Sequence, residues 1–233
     1  MTPARRLLAA ALLASALLPR TVRAADPADP ASPPPSPSPQ DAPPPGPASP
    51  ASSDAWEYSI TGNGYLFPGD GDFLLGIATA DRGALHLEAR YNYEDRDTAS
   101  FWGGWTWSKG ETVTFAVTPM LGVAVGDTDA ILPGVELSLA WKQIDYYLES
   151  EIALDLHDVD DDFVYGWSEL GWTPCEWLRV GLVGQRTRVY DTGLDIQRGV
   201  LAQGIAGRFT FGADWFNPAS DDEFVVAILG VEF

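Results

Sequence analysis

From Trp56 onward apolar and polar residues alternate with period two, the pattern of strands that have one apolar and one polar face. In 56–66, Trp56, Tyr58, Ile60 and Leu66 share one parity while Glu57, Ser59, Thr61 and Asn63 take the other. In 85–93, Leu85, Leu87, Ala89, Tyr91 and Tyr93 oppose His86, Glu88, Arg90 and Asn92. The stretches "TVTFAVTPML" and "IDYYLESEIALDLH" repeat the scheme, and no helical stripe of useful length interrupts it. The alternation predicts twelve strands, at 56–66, 73–80, 84–93, 100–108, 112–122, 134–142, 144–156, 163–173, 177–190, 195–206, 208–216 and 224–233. Glycine spacing alone marks the break near Gly207, and ten strands is the alternative count if that break and one other are not turns. Pro119, which has no N–H for a ladder, is expected near a strand end.

The gaps carry as much information as the strands. The odd gaps read "PGDGD", "EDRDTA", "GDTD", "HDVDDD", "DTGLD" and "NPASDDE", with sixteen Asp or Glu against one Arg. The even gaps, around Arg82, Lys109, Lys142, Pro174 and Gly207, are short and near neutral. A chain that runs up and down with two unlike ends fits an all-β, transmembrane, up-and-down antiparallel β-barrel, with short turns at one rim and longer loops at the other. Aromatics sort the same way: Trp56, Trp107, Trp141, Trp172 and Trp177 fall beside the short turns, and Tyr93, Phe101, Phe163, Tyr190 and Trp215 near the loops, as two girdles should. A secreted β-sandwich also alternates, but its charges have no reason to sort by gap.

Composition adds an address. Residues 1–24 combine Arg5 and Arg6, the apolar run "LLAAALLASALL" and a small-residue "VRA" context, the parts of an export signal peptide. Residues 25–55 hold 12 of the 19 prolines and read as a disordered, extended segment, expected in the periplasm. Residues 56–233 are the barrel. Without the signal the chain has 10 basic against 33 acidic residues, which argues against nucleic acid as a partner. The lone Cys175 cannot make an internal disulfide.

The final stretch "EFVVAILGVEF" alternates Val225, Ala227, Leu229, Val231 and Phe233 against Gly230 and Glu232. An exported, acidic, up-and-down β sequence with such a terminal strand resembles the Gram-negative outer-membrane β-barrels. The resemblance implies that Leu229, Val231 and Phe233 belong to an assembly signal read by the barrel-insertion machinery. The stretch "WSELGWTPCEWLRVGLVGQRTRVYDTGLDIQRG" is also similar to uncharacterised exported barrels, and that similarity carries no activity.

The expected lumen is charged. Strand seven directs Asp145, Tyr147, Glu149, Glu151, Asp155 and His157 inward, and strand eight adds Glu169. Arg186, Arg188 and Arg198 are expected inside too, because an Arg at mid-bilayer facing lipid costs about 2–4 kcal/mol. Leu178, Val180 and Leu182 share the parity of Arg186 and Arg188 on strand nine, so this placement needs a β-bulge near Gly184. Opposed charge rows predict either a salt-bridged filling or a selective constriction. His86 is expected inward, and neither it nor His157 lies in a hydrolase motif. The loop Asp158, Asp160, Asp161 and Asp162 offers oxygen ligands to divalent cations but lacks the glycine and closing Glu of an EF-hand.

Three functions follow as expectations: a small passive, cation-leaning channel; a closed structural or adhesion barrel; and, least, an outer-membrane lipid hydrolase. No resident metal and no cofactor is expected. The expected partners are outer-membrane lipid and lipopolysaccharide, the insertion machinery, and divalent cations at the acidic loops.

Overall fold

The structure, a computed structural model, describes residues 55–69, 71–189 and 195–233. The expected signal at 1–24, the proline-rich segment apart from its last residue, and Tyr190 lie outside the described residues.

Period-two sequences with glycine or polar breaks fold as hairpins, and here the hairpins follow one another around a ring. The strands are β1 (Glu57–Leu66), β2 (Phe73–Arg82), β3 (Leu85–Tyr91), β4 (Ala99–Trp105, resumed as Trp107–Lys109), β5 (Val113–Val125), β6 (Ala130–Trp141), β7 (Ile144–Asp155), β8 (Phe163–Cys175), β9 (Leu178–Val189), β10 (Asp195–Ala206), β11 (Phe209–Phe216) and β12 (Phe224–Glu232). Each pairs antiparallel with its sequence neighbours, and β1 pairs with β12 from Ser59↔Glu232 to Leu66↔Val225. The twelve strands close on themselves, which removes the unpaired edges that an open sheet would expose. The doubtful break is a turn: Gly207, at φ 62°, joins β10 to β11 in a left-handed conformation, where a side chain is strained.

Pro119 is not near a strand end as expected; it lies in the middle of β5. Its ladder to β6 is continuous, while the ladder to β4 lapses between Gly104↔Met120 and Trp107↔Val117. The missing N–H therefore costs the β4 side, and β4 is interrupted at Thr106. Pro133 does the same between β6 and β7, where pairing lapses between Ile131↔Leu154 and Gly134↔Glu151.

The outward parity carries Leu74, Leu121, Leu182, Leu229, Trp107, Trp172 and Trp177, all exposed, as a lipid-facing wall requires. Tyr93 and Phe163, expected in the loop-side girdle, are buried instead. Asn92 at φ 59° ends β3 and turns the chain, so Tyr93 no longer follows the strand's parity. The inward parity is packed. Tyr65, Leu75, Leu132, Trp167, Phe216 and Val226 are fully enclosed. Toward the loop rim, Tyr65 stacks on Phe73 at 4.5 Å and Phe216 on Phe224 at 4.8 Å between ring centres.

Candidate functional site in the lumen

Two arginines organise the interior. Arg90, on the inward parity of β3, is fully enclosed. Its Nη1 lies 2.7 Å from Glu149 and 3.0 Å from Glu151, both from β7, and its Nε donates to Glu88. The guanidinium carbon sits 4.1 Å from the Tyr93 ring centre and 4.6 Å from that of Trp102, a cation–π contact on each ring. Glu94 Oε1 is 3.9 Å from Arg90 Nη1 and accepts from Ser100. Trp102 fits because β5 and β6 present Gly122 and Gly134: a Cβ there would lie 2.4 and 2.9 Å from the indole.

Arg179 sits nearer the short-turn rim, one residue into β9. It reaches across Gly171 to Asp145, at 3.1 Å from Nε to Oδ2, and its Nη1 lies 2.6 Å from Glu169 and 3.1 Å from Gln203. A Cβ on Gly171 would meet both Arg179 and Asp145 at 2.5 Å, so the glycine is the clearance through which the pair forms. Asp214 of β11 is buried with neither carboxylate oxygen hydrogen bonded.

A third group adjoins the Arg90 centre. His86 Nδ1 is 2.7 Å from Asp81 Oδ1, its strand neighbour across β2 and β3, and Nε2 is 3.2 Å from Glu88 Oε2. Glu136 from β6 completes a set of three donors whose ligand atoms all lie within 4.8 Å of one another. Tyr147 Oη donates to Glu136 Oε1 at 2.9 Å and is 3.4 Å from Glu149 Oε2. It thus bridges two carboxylates that face each other directly across β6 and β7.

Of the charged residues expected in the lumen, the structure gathers Glu149 and Glu151 on Arg90, and Asp145 and Glu169 on Arg179. Asp155 is buried apart from them at the loop end of β7, accepting from the backbone N–H groups of His157 and Asp158. The arginine placements are corrected. Arg186 and Arg198 are exposed on the outward parity, because β9 keeps register with β10 through Gly184↔Arg198 and with β8 through Gly184↔Ser168. The irregularity in β9 falls between Leu178 and Val180, not at Gly184. Arg188 pairs through its backbone with Val164, and its side chain lies outside the description. His157 is also corrected: β7 ends at Asp155, and the His157 side chain is 73 % exposed. Arg179 has the parity opposite to Leu178, Val180 and Leu182, so alternation alone puts it inward, with or without a bulge at Gly184; its neighbours Asp145 and Glu169 are what the sequence did not show.

The acidic loop is organised on itself. Asp158 accepts from the Asp160 N–H and Asp162 from the Asp155 N–H, around a short 3-10 turn, Val159–Asp161. Asp158, Asp160 and Asp161 are exposed, and their carboxylates do not converge with a third donor among the described residues.

Neither a protein-family model nor a curated protein sequence matches the chain. Solved structures do. The KdgM porin superposes with a TM-score of 0.55 at 12% identity, over 75% of this chain and 98% of that one. The KdgM porin in complex with disordered oligogalacturonate gives 0.55 at 11% identity, over 75% and 98%. At such identity the likeness is one of fold. With the closed ring, the apolar outer wall and the segregation of acidic loops from short turns, it gives this chain the fold of the porins: a closed, up-and-down antiparallel β-barrel of twelve strands.

Proposed function

We propose that this barrel is a narrow passage for small cations. The observation that carries the reading is the sign of the interior. Among the described residues, eight buried side chains on the inward parity or just beyond it are Glu88, Glu94, Glu136, Glu149, Glu151, Asp155, Glu169 and Asp214, against buried Arg90, Arg179 and His86. Acid-lined constrictions favour cations and repel anions. Twelve strands enclose a lumen between that of an eight-stranded barrel and a sixteen-stranded porin. Here the aromatic stack and both arginine centres occupy it.

That filling specifically favours a second reading, a closed structural barrel. Planar-bilayer recording separates the two. The passage predicts small, stepwise conductance with a reversal potential displaced toward the potassium equilibrium in a salt gradient, and no liposome swelling with sugars. Anion preference refutes the passage, and complete silence leaves the structural barrel. The porin likeness and the absence of a hydrolase motif favour a non-enzymatic role.

The same reading places the proline-rich segment in the periplasm and assigns β12, with Leu229, Val231 and Phe233 on its outward parity, to the insertion machinery. Outer-leaflet lipopolysaccharide is the partner proposed for the exposed Arg186 and Arg198. Divalent cations bridging lipid phosphates to the acidic loops remain part of it.

A further inference from the structure

The environment of His86 asks for a cation. Asp81 is an acceptor, so the 2.7 Å contact puts a proton on His86 Nδ1. In the neutral ring, Nε2 then presents a lone pair, and at 3.2 Å it faces Glu88 Oε2, another acceptor. Two acceptors at that distance inside a buried site repel unless a second ring proton or a metal ion lies between them. Arg90 is not that group. Its Nε engages the other oxygen of Glu88, and its Nη1 is committed to Glu149 and Glu151.

The wider charge points the same way. Five Glu are buried in this part of the lumen, Glu88, Glu94, Glu136, Glu149 and Glu151, beside one arginine. Glu94 Oε2 is enclosed without a hydrogen-bond partner.

We propose that His86 Nε2, Glu88 Oε2 and the Glu136 carboxylate form a three-ligand site for a divalent transition-metal ion of the zinc class, with Asp81 as positioning residue. One imidazole and two carboxylates are borderline-to-hard donors suited to such an ion. With metal–ligand bonds of about 2.0–2.1 Å, two ligands of a tetrahedron stand roughly 3.4 Å apart. The Nε2 to Oε2 separation of 3.2 Å is close to that edge. A ligating histidine ordinarily donates its other N–H to a carboxylate, which fixes the tautomer and orients the ring, and Asp81 does so here. On the wall between β3 and β6 stand Gly104, paired with His86, and Thr118, paired with Glu136. Both are small enough to let the carboxylate of Glu136 approach the imidazole. The Asp81 side chain, at the short-turn end of β2, is 23 % exposed, while the three ligands themselves are buried. A filling of three protein ligands leaves one coordination position open. The site stands whether or not the barrel conducts.

The test is Co²⁺ and Zn²⁺ binding to the chelator-stripped, folded barrel in detergent, with folding checked by its faster unheated migration on a denaturing gel. The proposal expects one equivalent of metal, intense visible d–d bands of four-coordinate Co²⁺, and their loss on Zn²⁺ addition. His86→Gln removes the bands, and Glu136→Gln weakens them. Asp81→Asn lowers affinity by about 10–100-fold while keeping the spectrum, as expected of a carboxylate that orients a ligand. His157→Ala, in the exposed loop, changes nothing. Failure of the wild-type barrel to take up Co²⁺ overturns the site and leaves a proton on Nε2 in the metal's place. Binding that survives His86→Gln but is lost with His157→Ala overturns it too, by moving the ion to the acidic loop.

Discussion

Replacing Arg90 by methionine tests the interior most sharply. The change keeps an unbranched side chain against Tyr93 and Trp102 and removes the charge together with the N–H donors to Glu88 and Glu151. In the native lumen the guanidinium contacts Glu88, Glu149 and Glu151 with essentially no exposure on any of the four groups. Removing one partner of a buried pair costs about 3–5 kcal/mol, because the other charge stays behind unpaired. Here three carboxylates share the loss. The two ring contacts, at 4.1 and 4.6 Å, add about 0.5–1 kcal/mol each, part of which methionine recovers by packing. The expected loss is about 4–5 kcal/mol, or roughly three to four powers of ten in the unfolding equilibrium. Reversible urea unfolding in phospholipid vesicles, followed by tryptophan fluorescence, measures it. Adding Glu149→Gln and Glu151→Gln to Arg90→Met should restore at least half, since neutral amides need no counter-charge. A loss below about 1 kcal/mol for the single variant would refute the reasoning: the carboxylates around Arg90 would then not be held by it.

Three further outcomes follow from particular contacts. Gly122→Ala places a methyl 2.4 Å from the Trp102 indole and should cost about 1–3 kcal/mol, with a changed near-ultraviolet dichroism; Gly76→Ala, with nothing within 4 Å of its new carbon, should show neither. Gly207→Ala, at φ 62°, should cost about 1 kcal/mol through the left-handed conformation, read as a lower urea midpoint with an unchanged slope. Arg186→Leu and Arg198→Leu, which the outward parity near the loop rim places at the lipid interface, should change stability in vesicles by no more than about 1 kcal/mol. They should also weaken the association of the purified barrel with lipopolysaccharide while leaving conductance selectivity unchanged. A gain of 2 kcal/mol or more would put those arginines at mid-bilayer.

What the sequence by itself determined was everything that depends on local periodicity. Alternation fixes which parity of a strand faces lipid, so Leu229 out and Glu149 in could be read from neighbours alone, and six acid-rich gaps set against short neutral turns established the up-and-down course. Even the turn at Gly207 was visible as spacing, although only its φ of 62° shows why glycine stands there. The tertiary structure decided what depends on which strands meet across the ring. Arg90 and Glu149 lie 59 positions apart, and no period links them; only closure brings β3 opposite β7. Arg179 reaches Asp145 because Gly171 stands between them on β8, a clearance that is invisible until the register Asp145↔Gly171 is known. Arg186 of β9 and Arg198 of β10 went outward for a related reason. A strand with ladders on both sides holds its register through Gly184, and the cost of a charged residue near the rim, about 0–1 kcal/mol, is too small to bend it. Parity is a property of one strand and is written in it, whereas the pairing of a charge with its counter-charge is a property of the closed barrel.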